Sequence, residues 1–197
     1  MKKIAILIDG GCLRVAVRKA NKKYNPDYIE KLAHLCQQPD EEIFRILYYD
    51  CKQFSGTVDL PISGRQITKT SNDAWLSDLS KKPLFATRIG VLKFRGFQVK
   101  YDPGSIPNRP LTDEDFVEKY EQKGVDMRIG LDMAIFSNNR SVDRVTLISN
   151  DTDCIPAMKH ARRSGLQVTL VKLPTIRTSP ELLSHCDFIH KITTWPS

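Results

Sequence analysis

The feature that most constrains the fold is the unbroken apolar run Ile4–Ile8 (IAILI), which ends at Asp9. A run of this kind is typical of a strand that is buried on both faces of a parallel sheet. Comparable runs recur at Ile43–Tyr49, Val145–Ser149 and Leu166–Leu173, with helical stretches between them. This alternation predicts an α/β fold of three layers, in which a central, mostly parallel β-sheet is flanked by helices.

The segments between and after these strands complete the predicted domain. A helical pattern also runs over Leu84–Phe94, and Gly96 would end that helix. The segments 52–80 and 102–124 are polar and rich in turn residues, so we expect insertions or long loops there, within a single domain spanning 1–197. The other predicted elements are helices at 12–23, 27–36, 125–136 and 153–164, and strands at Phe97–Tyr101 and 188–192.

Composition limits the compartment and the partners. The 30 Lys+Arg against 23 Asp+Glu give a net charge of +7, which suggests an anionic partner without identifying one. No segment approaches the roughly 18 apolar residues of a membrane span, and the first apolar run is too short for a secretion signal. We therefore expect a cytoplasmic protein with no membrane contact. The five cysteines include no CxxC pair, which favours buried thiols over a zinc site or a disulfide framework.

Carboxylates stand at the carboxyl ends of two predicted strands, where open parallel sheets bind their ligands. Asp9 follows the first strand, Asp151 and Asp153 follow the fourth, and Asp126 lies in the first turn of a predicted helix. Carboxylates that come together repel one another unless a cation offsets their charge. Oxygen ligands without histidine or cysteine favour Mg²⁺ or Mn²⁺ over zinc. The sequence therefore predicts a divalent metal site at these four aspartates.

An alternative role for any one of these aspartates is to cap the N-terminus of a helix, which is common after βα turns. One cap would suffice where both Asp151 and Asp153 stand, so the pair favours a site. Asp126 and Asp132 are separated by about 240° around a helix and cannot both face one site. We assign Asp126 to the site, and expect Asp132 to support it from outside or to pair with a basic neighbour.

Basic residues cluster on the predicted helices that begin beside these carboxylates. A basic stripe is often only a solvated helix face, but two such helices would suit a phosphate backbone that runs past a metal site. We predict nucleic-acid contacts at six positions: Arg14, Arg18, Lys22, Lys159, Arg162 and Arg163. A third basic group falls on another predicted helix: Arg88, Lys93 and Arg95.

Three motifs in the chain resemble a known family. They are not the motifs of three common site types. No GxGxxG follows a strand, so a dinucleotide-binding fingerprint is missing, and neither the P-loop motif GxxxxGK[ST] nor the nucleophile motif GxSxG occurs. The sequence does contain, in this order, IDGG at 8–11, KGVDMRIGLDMA at 123–134 and SNDTDCIPAMKHARRSGLQVTLV at 149–171. Together they resemble the NYN domain (LabA-like) family, which belongs with the PIN-like, metal-dependent ribonucleases.

The resemblance implies a PIN-like (Rossmannoid) fold, Mg²⁺ or Mn²⁺ as cofactor, RNA as partner and hydrolysis of RNA phosphodiester bonds. By position it assigns the metal-binding and catalytic roles to four residues: Asp9, Asp126, Asp151 and Asp153. Cys12, Asn150 and Cys154 stand where the family usually has Asn, Gly and an aromatic residue. Asn150 tolerates a left-handed backbone reasonably well in place of that glycine.

The sequence leaves two other functions open. One is a non-catalytic regulatory module that binds RNA or protein on the same fold. The other is a metal-dependent phosphatase that acts on small phosphate esters. Whether the protein forms a homodimer is left open as well.

Overall fold

The computed structural model describes residues 1–196, and the chain divides into two compact units. The first unit contains residues 1–50, 74–89 and those from 124 onward. The second unit contains residues 51–73 and 90–123. The segments expected to be insertions therefore fall largely in the second unit.

Nine strands and six α-helices form within residues 1–196. Two short 3₁₀ helices are also present, at Asp113–Asp115 and Thr152–Cys154. In chain order the elements are β1 (Lys2–Asp9), α1 (Gly10–Lys19), α2 (Pro26–Leu35), β2 (Glu41–Cys51), β3 (Gly56–Asp59), β4 (Gln66–Lys69), α3 (Ala74–Ser80), β5 (Phe85–Val99), β6 (Phe116–Lys123), α4 (Val125–Asn139), β7 (Arg144–Ile148), α5 (Ile155–Arg163), β8 (Gln167–Lys172), α6 (Pro180–Ser184) and β9 (Phe188–Lys191).

The sheet is mostly parallel, and β1 lies near its centre. Strand β1 pairs in parallel with β2 on one side and with β7 on the other. Strand β7 continues to β8, and β8 to β9, again in parallel. The seven strands follow the order β6-β5-β2-β1-β7-β8-β9. Ile4–Ile8 has no exposed surface, as the apolar run predicts. The α/β fold with a central, mostly parallel sheet flanked by helices is confirmed.

The predicted helix over Leu84–Phe94 is wrong, because Phe85–Phe94 belong to the long strand β5. Val91, Lys93 and Arg95 are exposed while the residues between them are partly buried, which is the period of a strand. Gly96 does not end a helix. It has a positive φ of 89° where the pairing of β5 with β6 shifts register, as in a β-bulge. The third basic group therefore lies on a strand.

The segments predicted as loops contain strands as well. In the second unit β3 pairs with β4 in an antiparallel hairpin, and the later residues of β5 pair antiparallel with β6. Phe94 packs against the rings of Phe54, Phe97 and Tyr120, which gives this unit an aromatic cluster of its own. The expectation of long loops at 52–80 and 102–124 is therefore wrong for β3, β4, α3 and β6.

Helix α1 ends earlier than the predicted helix at 12–23. Its last residue is Lys19, and Asn21 adopts the left-handed conformation with φ of 52°. The N–H of Lys22 then donates to the carbonyl of Val17 at 3.2 Å, which closes the helix in a Schellman motif. Lys22 consequently lies on the turn after the helix.

None of the helices within residues 1–196 combines the length and apolar character that crossing a membrane requires.

Candidate active site

Asp9 ends β1 and caps helix α1. Its Oδ1 accepts the backbone N–H of Cys12 at 3.1 Å, and its Oδ2 accepts the hydroxyl of Ser149 at 2.9 Å. Only 8% of Asp9 is exposed. Burial first, and then the charges of Asp126 and Asp151, raise the pKa of Asp9 above its ordinary value, although both hydrogen bonds lower it. The carboxyl group is therefore held at both oxygens in surroundings that disfavour its negative charge.

Ser149 joins the ends of β1 and β7. Besides donating to Asp9, its buried hydroxyl accepts the backbone N–H of Asp151 at 3.1 Å. One side chain thus fixes two of the predicted site residues relative to each other. Sequence reasoning missed Ser149 as a site residue. The available signal is its position as the first residue of the SNDTDC motif, directly after a buried strand.

Asp126, Asp151 and Asp153 form a cluster in which one carboxylate oxygen from each lies within 4.8 Å of the others. Asp151 follows β7, and its Oδ1 accepts the backbone N–H of Asp153 at 2.9 Å. Asp126 comes from the first turn of α4. Burial, followed by the charges of Asp151 and Asp153, raises the pKa of Asp126. Three carboxylates are thus concentrated beside the buried Asp9.

Two glycines allow the backbone to deliver these carboxylates. A Cβ atom on Gly10 would lie 2.3 Å from Tyr48 Oη and 2.8 Å from Asp50 Oδ2, so only glycine fits directly after Asp9. Gly124 precedes α4 with a positive φ of 77°, a conformation that glycine adopts without strain. This turn sets the start of α4, and with it the position of Asp126.

No basic side chain neutralises the cluster. Within residues 1–196, none of the four predicted aspartates forms an ion pair with a lysine, arginine or histidine. Grouped carboxylates without a counter-charge repel one another, so the arrangement favours a bound cation.

Helix capping and a metal site prove compatible in this chain. Asp9 does cap α1, and Asp151 caps the short 3₁₀ helix that follows β7. Asp126 does not cap α4, because Gly124 occupies the capping position and offers no side chain. Each capping hydrogen bond engages one carboxylate oxygen and so fixes the orientation of the Asp9 or Asp151 side chain.

Asp132 has a structural role apart from the cluster. Its Oδ2 accepts the hydroxyl of Tyr49 at 2.8 Å and the Nε–H of Arg88 at 3.0 Å. The expectation that Asp132 pairs with a basic neighbour is confirmed. Burial first, and then the charge of Asp132, raise the pKa of Tyr49 well above its ordinary value, although the charge of Arg88 lowers it.

Residues 3–193, which are nearly the whole chain, match the model of the NYN domain family. This chain belongs to the NYN domain family. NYN domains are PIN-like nucleases, and PIN-like nucleases generally use divalent metals. The resemblance expected from the three motifs is therefore confirmed at the level of the family.

One solved structure has a similar fold. It is the crystal structure of a protein of unknown function from Vibrio parahaemolyticus RIMD 2210633, with 17% sequence identity and a TM-score of 0.55. The similarity covers 97% of this chain and 93% of that one, and at this identity it shows the fold alone. No curated protein matches the chain.

This NYN domain places the six predicted nucleic-acid residues in two groups. Arg14 forms an ion pair with the buried Asp50, and Arg162 forms one with Asp187 at 2.7 Å. The other four are exposed and form no ion pair within residues 1–196: Arg18, Lys22, Lys159 and Arg163. The guanidinium of Arg14 is thus engaged inside the protein, in a network that the sequence did not reveal.

That network lies directly behind the IDGG turn. The hydroxyl of Tyr48 donates to Asp50 at 2.8 Å and is 2.5 Å from the hydroxyl of Tyr24. Tyr24 also donates to the carbonyl of Gly10 at 3.4 Å. A buried side chain from β2 and a partly buried one from the α1–α2 turn therefore support the backbone next to Asp9.

The residues that depart from the usual family pattern have defined roles. Burial first, and then the charge of Asp9, raise the pKa of the Cys12 thiol to about 12, so it stays protonated at neutral pH. Asn150 does not use the left-handed backbone that an asparagine tolerates. Instead its amide donates to the carbonyl of Arg177 at 3.1 Å and accepts the N–H of Ser179 at 2.9 Å. Asn150 thus ties the strand end to the segment after β8.

Proposed function

We propose that this NYN domain is a metal-dependent ribonuclease that hydrolyses RNA phosphodiester bonds at an aspartate centre. The observation that carries the proposal is the cluster of Asp126, Asp151 and Asp153, in which one oxygen of each lies within 4.8 Å of the others. Within residues 1–196 these three carboxylates form no ion pair with a basic side chain. Membership of a nuclease family supports the reaction class.

The donor set fits Mg²⁺ or Mn²⁺. Asp126, Asp151 and Asp153 would hold the ion through carboxylate oxygens, with Asp9 beside them, and hard divalent ions prefer such ligands. Within residues 1–196 the group contains carboxylates alone, with no histidine or cysteine atom in it, and such a donor set does not favour a softer metal. When bound, a divalent ion supplies Lewis acidity, which lowers the pKa of water and offsets negative charge on the phosphodiester.

The protein's own residues orient the carboxylates and attract the strand. Ser149 and the N–H of Cys12 hold Asp9 in place, so little rearrangement is needed before reaction. Exposed cations on the elements that begin at the site would contact RNA phosphates in a salt-dependent manner. We assign this role to Arg18, Lys22, Lys159 and Arg163.

Purified protein incubated with RNA and Mn²⁺ tests the proposal. We expect the wild type and the control variant Asp40→Asn, which changes an exposed acid, to cleave single-stranded or structured RNA. Asp151→Asn should lose that cleavage, because it removes a charged ligand while keeping the size of the side chain. Equal cleavage by the wild type and Asp151→Asn, or no cleavage by either, would contradict the proposal. The second result would favour the non-catalytic binding module.

A further inference from the structure

The segment between β8 and α6, residues 173–179, contains neither helix nor strand, yet it is bonded to the candidate site. Asn150 stands directly before Asp151 at the carboxyl end of β7, and its side-chain amide donates to the carbonyl of Arg177 at 3.1 Å. The same side chain accepts the backbone N–H of Ser179 at 2.9 Å. One asparagine therefore holds the segment by two hydrogen bonds and places it beside the aspartate cluster.

The first half of the segment is fixed to helix α1. The hydroxyl of Thr175 donates to the carbonyl of Ala16 at 2.7 Å, and the side chain of Ile176 packs against the hydrophobic core. Thr178 is buried as well, with only 6% of its surface exposed. The segment is thus anchored both on α1 and at the end of β7, which restricts its backbone to one position along the edge of the site.

Arg177 is the charged residue that this anchored segment presents to solvent. Its side chain is exposed, whereas its neighbours Ile176 and Thr178 pack inward. Within residues 1–196 it forms no ion pair. One hydrogen bond and one peptide link separate its backbone from Asp151. A guanidinium group presents a planar set of N–H donors that matches the oxygens of a phosphate.

The position between α1 and β7 suits a contact with the RNA backbone. The carboxylates of the cluster repel a polyanion, so a cation beside them would hold the phosphates that adjoin the one at the centre. Arg18, which follows Ala16 by two residues on α1, is also exposed and without an ion pair in the described part of the chain. Phosphates bound at Arg18 and then at Arg177 would lead the strand from α1 toward Asp151.

We propose that residues 173–179 form one wall of the RNA path and that Arg177 binds a backbone phosphate next to the scissile bond. Asn150 is the positioning residue that holds Arg177 there. The inference rests on the proposed function for the identity of the strand. Because phosphate contacts carry no sequence information, Arg177 should contribute alike to the binding of RNAs of different sequence.

RNA binding in the presence of a chelator measures this contact without metal and without cleavage. The full chain is titrated into a fluorescent single-stranded oligoribonucleotide at several salt concentrations. We expect Arg177→Gln to weaken binding by about tenfold and to reduce the slope of log affinity against log salt by about one. The matched control, Arg140→Gln, removes the same charge from an exposed arginine at the edge where β7 begins, and it should bind like the wild type.

A double-mutant cycle tests the positioning role of Asn150. Asn150→Ala removes both side-chain hydrogen bonds to the segment but no charge, and the backbone φ of this residue is not positive, so alanine fits. We expect Asn150→Ala to weaken RNA binding about fivefold, and Arg177→Gln to cost only about twofold in that background. An equal cost of Arg177→Gln in both backgrounds would overturn the positioning role.

Mn²⁺ affinity separates a phosphate contact from a role in supporting the cluster. Arg177→Gln should bind Mn²⁺ like the wild type, because Arg177 pairs with none of the carboxylates in the described part of the chain. A loss of Mn²⁺ affinity in this variant would overturn the assignment to phosphate.

The outcomes distinguish this inference from the proposed function. Weaker RNA binding by Arg177→Gln, with an unchanged control, supports the contact even if the wild type cleaves no RNA. Wild-type affinity and salt dependence in Arg177→Gln overturn it, even if RNA is cleaved at the aspartate centre. An equal loss in Arg140→Gln overturns it as well, because any exposed positive charge would then have the same effect. Absence of RNA binding by the wild type would also overturn it.

Discussion

The two edges of the parallel sheet place acidic groups in opposite surroundings. At the edge where the strands begin, Glu41 of β2 pairs with Arg144 of β7 at 2.6 Å, and both are buried. Gln167 of β8 accepts two further hydrogen bonds from the same guanidinium, at 2.8 and 3.1 Å. At the edge where the strands end, Asp9 is also buried, but its carboxylate is held by the hydroxyl of Ser149 and the N–H of Cys12, and the charges that act on its pKa are those of Asp126 and Asp151.

The difference separates carboxylates that build the fold from those that bind a ligand. Apart from Glu41, three well-packed acids each have an arginine: Asp50 with Arg14, Asp132 with Arg88 and Asp115 with Arg109. In the part of the chain that the structure describes, the aspartates of the candidate site pair with no arginine. The negative charge of a buried acid that has its own arginine is already neutralised. A group of acids without one leaves a place for a cation from solution.

The largest expected effect contrasts two aspartates of the same helix, α4. Asp126→Asn removes a charge from the cluster, and we expect RNA cleavage to fall on the order of a hundredfold or more. Asp132→Asn changes a side chain that is bonded to Tyr49 and Arg88, so cleavage should stay within about threefold of wild type. Initial cleavage rates at saturating Mn²⁺ measure both. Equal losses in the two variants would mean that the cluster has no special role.

The next effect concerns the opposite edge of the sheet. Glu41→Gln leaves the buried guanidinium of Arg144 without a counter-charge, and we expect the free energy of unfolding to fall by about 3 kcal/mol. Chemical denaturation measures the loss. Asp151→Asn serves as the comparison. In metal-free protein it should leave the free energy of unfolding unchanged or raise it, because it relieves repulsion among the carboxylates of the cluster. Destabilisation of both variants by the same amount would remove the distinction between the two edges.

The smallest effect is a pH dependence. The pKa of Asp9 is raised in the folded, metal-free protein above the ordinary value of 3.8, so between these two values the folded state binds more protons than the unfolded chain. Stability should therefore fall as pH rises from about 3.8 through the raised pKa, and this contribution should level off above it. Asp9→Asn should flatten that part of the profile. Denaturation curves across this range, with a chelator present, give the comparison, and an unchanged slope in the variant would contradict it.

The fold was largely predictable because its strands are buried on both faces. Ile4–Ile8 could hardly be anything but a central strand. Only the end of strand β5 was recognised, in the predicted strand Phe97–Tyr101. Its first part was not, because Leu84–Phe94 has apolar residues that suit either period and Gly96 resembles a helix stop. Its actual role in a β-bulge depends on the pairing with β6, which the local sequence does not encode.

The site was predictable in its acids but not in their supports. Asp9, Asp126, Asp151 and Asp153 follow from their places at strand ends and at a helix start, whereas the hydrogen bond from Ser149 to Asp9 joins residues that are distant in the chain. The pairing of Arg14 with Asp50 was hidden for the same reason. Such partners become visible only when the strands are set side by side.

The central claim is that the cluster of Asp126, Asp151 and Asp153 is a metal site, and metal binding to it is the most direct test. Calorimetric titration of Mn²⁺ into the wild type, Asp151→Asn and Asp132→Asn separates the cluster from the arginine-paired acid. We predict that the wild type and Asp132→Asn bind Mn²⁺ alike, and that Asp151→Asn binds at least about tenfold more weakly. Absence of binding to the wild type, or equal affinity in Asp151→Asn, would contradict the conclusion that these unpartnered carboxylates form a metal site.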